Sequence, residues 1–173
     1  MTVPILFQSL EGQTRKIADF AADQVREAGK TPRLIDMSDP MVEVPLDDAE
    51  KVILAAPVHE RRHPQEFELF LTASKSDLER CKTLLLSVSM NAAFPEGRAE
   101  AQDYLTEMQM RTGFTPDASA LVAGAVQTPK YDYFATQVIQ HVVLKGKDFD
   151  AEAAEHEFTD WDALRSTLSA FLA

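Results

Sequence analysis

The 173-residue chain has one cysteine, one tryptophan, six glycines and no apolar run near the roughly 20 residues that a membrane-spanning helix requires. A lone Cys81 with no CxxC partner excludes an intrachain disulfide, and its place beside an apolar run reads as a packed thiol in a reducing compartment. Basic charge is also short. Seventeen Lys and Arg stand against 28 Asp and Glu, and the net charge of −11 repels nucleic acid and anionic lipid surfaces. No GxSxG, P-loop or HExxH pattern occurs, and His141 and His156 lack the spacing of metal ligands. The N-terminus enters a strand pattern without a basic leader or a cleavage site, so a cytoplasmic protein is expected.

What is present is globular. An apolar fraction of 45% with 26% charge suits a packed core, and the length suits one domain spanning 1–173. Four apolar runs, at 3–7, 52–56, 83–88 and 121–126, are continuous rather than alternating, as in strands buried on both faces of a parallel sheet. A weaker run, Arg33 to Asp36, predicts a further strand beside the first. Between the runs, Ile17, Phe20, Ala21, Val25 and Ala28 form a helical stripe that Gly29 ends. Phe67, Phe70 and Leu71 form a second stripe after Pro64, and Ala101, Tyr104, Leu105 and Met108 a third, closed by Gly113. A last helix is expected from Thr159, capped by its hydroxyl, with Trp161, Leu164, Leu168, Phe171 and Leu172 facing inward. The alternation predicts a doubly wound α/β sheet.

Residues 127–158 break the alternation and read as an insertion before the last helix. Phe134, Val138 and Val142, with their neighbours 135, 139 and 143, give its middle an apolar helical face, preceded by Tyr131 and Tyr133. That face fits packing on the domain or a second subunit, and equally a docking surface for a hydrophobic substrate or a membrane interface.

The first strand runs into Ser9-Leu10-Glu11-Gly12-Gln13-Thr14 at the carboxyl end where open α/β sheets bind ligands. Such a loop can aim main-chain N–H groups and two hydroxyls at a phosphate, backed by the helix dipole. Neutral donors tolerate Glu11 if its carboxylate turns to water, with Arg15 and Lys16 offsetting its charge. An ordinary strand-to-helix turn fits the same spacing. The acidic loop of Asp36, Asp39, Asp47 and Asp48 has no pair poised for acid–base work, and no residue is assigned as catalytic. A receiver domain would need acids where Gln8-Ser9 and Ala56-Pro57 stand, which rules that alternative out.

These residues carry a family resemblance. The first loop is similar to the phosphate loop of flavodoxins, with Ser9, Gly12 and Thr14 in its pattern. With Glu11, "APVHERRHPQEFELFL", "SVSMNAAFPEGR", "LVAGAVQTPKYDY" and the closing "FTDW", the chain resembles the flavodoxin-like, menaquinone-dependent protoporphyrinogen IX dehydrogenases. The resemblance implies a five-stranded parallel sheet ordered 2-1-3-4-5 and non-covalent FMN. Ser9, Leu10, Glu11, Gly12, Gln13 and Thr14 would hold the phosphate. Pro57, Val58 and His59 would cover one flavin face, and Ser89, Met90, Asn91 and Phe94 would line the other. The family's Tyr-Gly after the third strand is replaced by Glu60-Arg61-Arg62-His63, which leaves stacking to Phe94, His59 or an Arg guanidinium. His63 reads either as a bystander in that loop or as a flavin contact. Arg61 and Arg62 fit porphyrin propionates, or solvated surface charge. The implied activity is an FMN-dependent dehydrogenase passing electrons from a porphyrinogen to a quinone. A soluble electron carrier docking on a redox partner is the alternative. Residues 131–145 would make a peripheral membrane contact or a dimer.

Overall fold

The computed structural model describes residues 1–126 and 156–173. The expected helical face at 134–143, with Tyr131 and Tyr133, lies outside the described residues.

Five strands form the main sheet: β1 (Thr2–Phe7), β2 (Thr31–Asp36), β3 (Lys51–Pro57), β4 (Lys82–Ser89) and β5 (Ala118–Ala123). All are parallel, in the order β2-β1-β3-β4-β5, with Ile5 of β1 opposite Leu34 and Ile53 on its two neighbours. The weak run at Arg33 to Asp36 is therefore a real edge strand. Helices α1 (Gln13–Glu27), α2 (Gln65–Ala73), the single turn α3 (Lys75–Leu78), α4 (Arg98–Thr112) and α5 (Trp161–Leu172) cover the two faces.

Strand periodicity of two divides the core. Ile5, Phe7, Ile53, Ala55, Leu84 and Leu86 pack against Ile17, Ala21 and Val25 of α1 and Leu164, Leu168 and Leu172 of α5. The alternate residues Leu6, Leu54, Ala56 and Leu85 meet Phe67 and Leu71 of α2 and Leu105 and Met108 of α4. Both faces are apolar because both are covered, which is why the runs are continuous in sequence. Each fully buried Leu, Ile or Phe contributes about 1.5–3 kcal/mol relative to leaving it in water. Helix ends follow the glycines: Gly29 and Gly113 sit at φ 72° and 66°, past α1 and α4.

The start of α5 differs from expectation. Asp160, not Thr159, is its cap, and the Asp160 carboxylate accepts from the Ala163 N–H at 2.9 Å. Thr159 is occupied elsewhere, donating to the Ala123 carbonyl at 2.6 Å and accepting from Gln13 Nε2 at 2.9 Å. Trp161, in the first turn, is only half-buried; it packs on Phe20 with ring centroids 5.0 Å apart and donates to Glu157. Residues 156–158 also leave the expected insertion. Strand β6 (Ala125–Val126) pairs antiparallel with β7 (His156–Glu157), and Phe158 N–H donates to the Gly124 carbonyl. Cys81 is buried as expected, its thiol donating to the Ala49 carbonyl, and burial raises its pKa.

Candidate functional site

The carboxyl ends of the strands converge beside the switch in strand order, where β1 separates β2 from β3. A cleft of about 270 Å³ opens there, walled by Glu11 after β1, Pro57 to Arg61 after β3, Val88 to Asn91 at the end of β4, Gly124 and Ala125 after β5, and Tyr104 from α4. Larger hollows, of about 470 and 650 Å³, lie along β5, but neither gathers the loops of several strands. Chemistry, not size, singles out the cleft. Among the described residues no group of His, Cys, Asp and Glu is arranged to hold a metal, and no helix is long and apolar enough to cross a membrane.

The β1–α1 loop takes its shape from Gly12, which holds φ at 102° as the N-cap of α1. Gly12 N–H donates to Ser9 Oγ at 3.0 Å, closing the loop on itself. No acid occupies the first turn of α1, and the N–H groups of Gln13, Thr14 and Arg15 have no helical carbonyl to accept them. The Gln13 side chain points away, donating to Glu157 and Thr159, so its main-chain N–H is what it offers the loop. That bond from Gln13, with further donors from Trp161 and Lys16, holds the Glu157 carboxyl below the usual range. Thr14 is buried, Leu10 is exposed, and Glu11 is half-buried in the cleft wall. Arg15 pairs with Asp19 and Asp36, and Lys16 pairs with Glu157.

After β3 the chain makes a tight reversal. His59 and Arg62 exchange main-chain hydrogen bonds of 2.9 and 3.1 Å, leaving Glu60 and Arg61 as a two-residue turn at φ 48° and 66°. Non-glycine residues held in the left-handed region cost about 1–3 kcal/mol each. Arg61 ion-pairs with Glu100, and its guanidinium lies 5.3 Å from the Tyr104 ring. Arg62 pairs with Glu68 of α2 at 2.9 Å, and Arg111 of α4 grips the same carboxylate at 2.7 Å. Burial alone would raise the Glu68 pKa, but the hydrogen bonds from Arg111 and Arg62 outweigh it and hold the carboxyl below its usual range. His63 is 1% exposed with Nε2 2.9 Å from Ser87 Oγ, and burial lowers its pKa to about 4. It is a core residue behind the cleft, and His59 is the exposed histidine in its wall.

At the end of β4, Ser89 Oγ accepts from the Ala92 N–H, and Asn91 Nδ2 donates to the Tyr104 hydroxyl at 2.9 Å. Phe94 is turned out of the cleft; it packs edge-on against Phe158, with centroids 5.8 Å apart, in a small cluster with Val126. The aromatic wall is instead Tyr104, which the sequence presents as one residue of a helical stripe. Its signal there is polarity: a phenol among the apolar residues of a stripe implies a partner for the hydroxyl. Burial and the nearby Glu100 push the Tyr104 pKa up to about 12.

Comparisons with known proteins agree with this architecture. Oxidised flavodoxin 1 from Bacillus cereus superposes with a TM-score of 0.60 at 20% identity, over 99% of this chain and 97% of that one. A short-chain flavodoxin associated with a PDU bacterial microcompartment gives a TM-score of 0.58 at 12% identity, over 99% and 96%. In sequence, the chain is 26% identical over 165 residues to protoporphyrinogen IX dehydrogenase [quinone] of Escherichia coli K12, covering 94% of this chain and 90% of that protein. The Leishmania major protein of the same name is 27% identical over 172 residues, covering 98% and 74%. Residues 4–152 match the model of the flavodoxin domain. A match spanning most of the chain, on a sheet of this strand order, establishes that the protein belongs to the flavodoxin domain family.

Proposed function

We propose that the protein holds FMN non-covalently in the strand-end cleft and is an oxidoreductase that passes electrons from a porphyrinogen to a quinone. The observation that carries this reading is the cleft itself, where loops from β1, β3, β4 and β5 meet. The names of the relatives, similar over nearly the whole chain, support the substrate and acceptor.

The residues present fit the cofactor. The left-handed Gly12, an α1 first turn free of acids, and the hydroxyls of Ser9 and Thr14 form a donor set for a phosphate. Those groups hold the phosphate without a lysine or arginine in the loop. Pro57, Val58 and His59 would bound one side of the flavin and Ser89, Met90 and Asn91 the other, with Tyr104 in the wall. When bound, FMN supplies the electron-transfer chemistry, and the polypeptide orients it and tunes its potential. No side chain is required as an acid or base.

For the substrate's carboxylates, Arg61 is the available partner. Its ion pair with Glu100 is exposed, so exchanging one carboxylate for another costs little. Arg62 is tied to the buried Glu68 and is less free. Residues 131–145 would supply contact with the hydrophobic substrate or the inner face of a membrane. The net charge of −11 favours a second reading, a soluble carrier steered to a basic redox partner.

FMN titration of the flavin-free protein, followed by protoporphyrinogen IX oxidation with a quinone, tests both. Quenching of flavin fluorescence with turnover supports the dehydrogenase. Binding without turnover leaves the carrier, and absence of binding sinks both.

A further inference from the structure

Three successive side chains at the end of the β3 reversal reach three different elements. Arg61 reaches Glu100 and Tyr104 on α4, Arg62 reaches Glu68 on α2, and His63 reaches Ser87 on β4. The tip of the reversal is the left-handed pair Glu60–Arg61, in which neither residue is a glycine or asparagine. A two-residue hairpin loop with both central φ angles positive favours Asn-Gly, so this sequence does not hold the turn by its own preference. Something outside the turn must hold it.

We propose that Glu68 and Arg111 are positioning residues for the cleft, acting through Arg62 to keep the Glu60–Arg61 turn in its left-handed form. This inference rests on the FMN reading of the cleft. Of the contacts that hold the turn, the one to Glu68 is the firmest. Its carboxylate is 6% exposed and is gripped by Arg111 through both Nη2 and Nε, at 2.7 to 3.3 Å, so its position is fixed before Arg62 arrives. The Arg61–Glu100 pair, by contrast, is exposed on both sides and holds little. With Arg62 released, Glu60 and Arg61 would relax toward negative φ, turning the peptides between them and reshaping the wall that Glu60 and Arg61 contribute. A wall held ready before the ligand arrives lowers the ordering cost of binding.

The test is a cycle. Arg62→Gln leaves the Glu68–Arg111 pair in place and alters a half-exposed side chain, so that variant folds even if Glu68→Gln does not. Each is made in the natural turn and in a turn carrying Glu60→Asn with Arg61→Gly. Two quantities are read: FMN affinity, and amide hydrogen exchange of His59 and Arg62 in the FMN-free protein. In the natural turn, either substitution should weaken FMN binding about tenfold and speed that exchange about tenfold. In the Asn-Gly turn both effects should shrink to within about twofold, because that pair adopts the left-handed form unaided. A merely structural ion pair would lower the melting temperature equally in both backgrounds and spare the exchange. Equal losses of affinity in both turns, or unchanged exchange, overturn the proposal. If the wild-type protein binds no FMN, the reading of the cleft falls, and the exchange result still decides whether the clamp exists.

Discussion

The two loops that enter the cleft after β1 and after β3 are held in shape by opposite means. The Ser9–Thr14 loop is nearly self-sufficient: a glycine takes the left-handed conformation, and its N–H closes on Ser9 three residues back. The turn at Glu60–Arg61 takes the same kind of conformation without a glycine and depends on Glu68, Arg111 and Ser87, contributed by α2, α4 and β4. Local chemistry shapes the first; packing shapes the second. Damage to the first should therefore stay local, whereas damage to the second should appear in stability as well as binding.

The largest effect expected on the glycine side comes from Gly12→Asp. The substitution forces a side chain into φ 102° and sets a carboxylate where the loop offers donors to a phosphate. FMN affinity should fall about a thousandfold, from like-charge repulsion in a site of reduced dielectric. Stability should change by only about 1–2 kcal/mol, the cost of the left-handed backbone. Titration and denaturant unfolding measured side by side would check this. A loss of fold as large as the loss of affinity would break the contrast between the loops.

On the β3 side the expected signature is pH. The folded protein keeps His63 neutral down to about pH 4, because its imidazole is buried against Ser87, while the unfolded chain takes up the proton below the ordinary value of 6.5. Protonation between those values favours the unfolded chain. Stability linked to His63 is therefore complete above pH 6.5 and lost as the pH falls toward 4, about 3 kcal/mol in all. Glu68, with its pKa depressed, gives up its contribution only below its own unfolded value of 4.5, so above that pH the loss belongs to His63 alone of the two. Urea midpoints between about pH 7 and about pH 5 should fall for the wild type and stay nearly level for His63→Gln. Parallel declines would mean that the loss of stability originates elsewhere.

The same contrast explains what could be read in the sequence. Apolar runs, helical stripes and the glycines at 12, 29 and 113 are local signals, and the strands, helix ends and first loop follow from them, whereas the strand order is implied by the family resemblance. Thr159 and Asp160 are both good caps by type. What separates them is that Thr159 is claimed by Ala123 and Gln13, partners 36 and 146 residues away. Phe94 is one of the three stacking groups expected, with His59 and an Arg guanidinium, yet it lies in a cluster with Phe158 and Val126. In each case the deciding contact is long-range.

Tyr104 is the sharpest instance, and its effect is the smallest. The resemblance directs attention to an aromatic contact after the third strand, where the family's tyrosine is absent; the phenol comes instead from α4, on the other side of the Arg61 side chain. The residue is 6% exposed and its hydroxyl accepts from Asn91 and lies near Glu100, so Tyr104→Phe keeps the wall and removes the hydroxyl's polar contacts. Stability should drop by about 1 kcal/mol, the usual net worth of a hydrogen bond. FMN affinity should weaken about threefold, through the loosened Asn91 alone. With the Tyr104 pKa pushed up to about 12, the hydroxyl stays protonated across the working range, so the loss should be the same at about pH 6 and about pH 9. Titrations of both proteins at the two pH values would check it. A loss that grew with pH would mean that the phenol ionises in the cleft and acts as more than a wall.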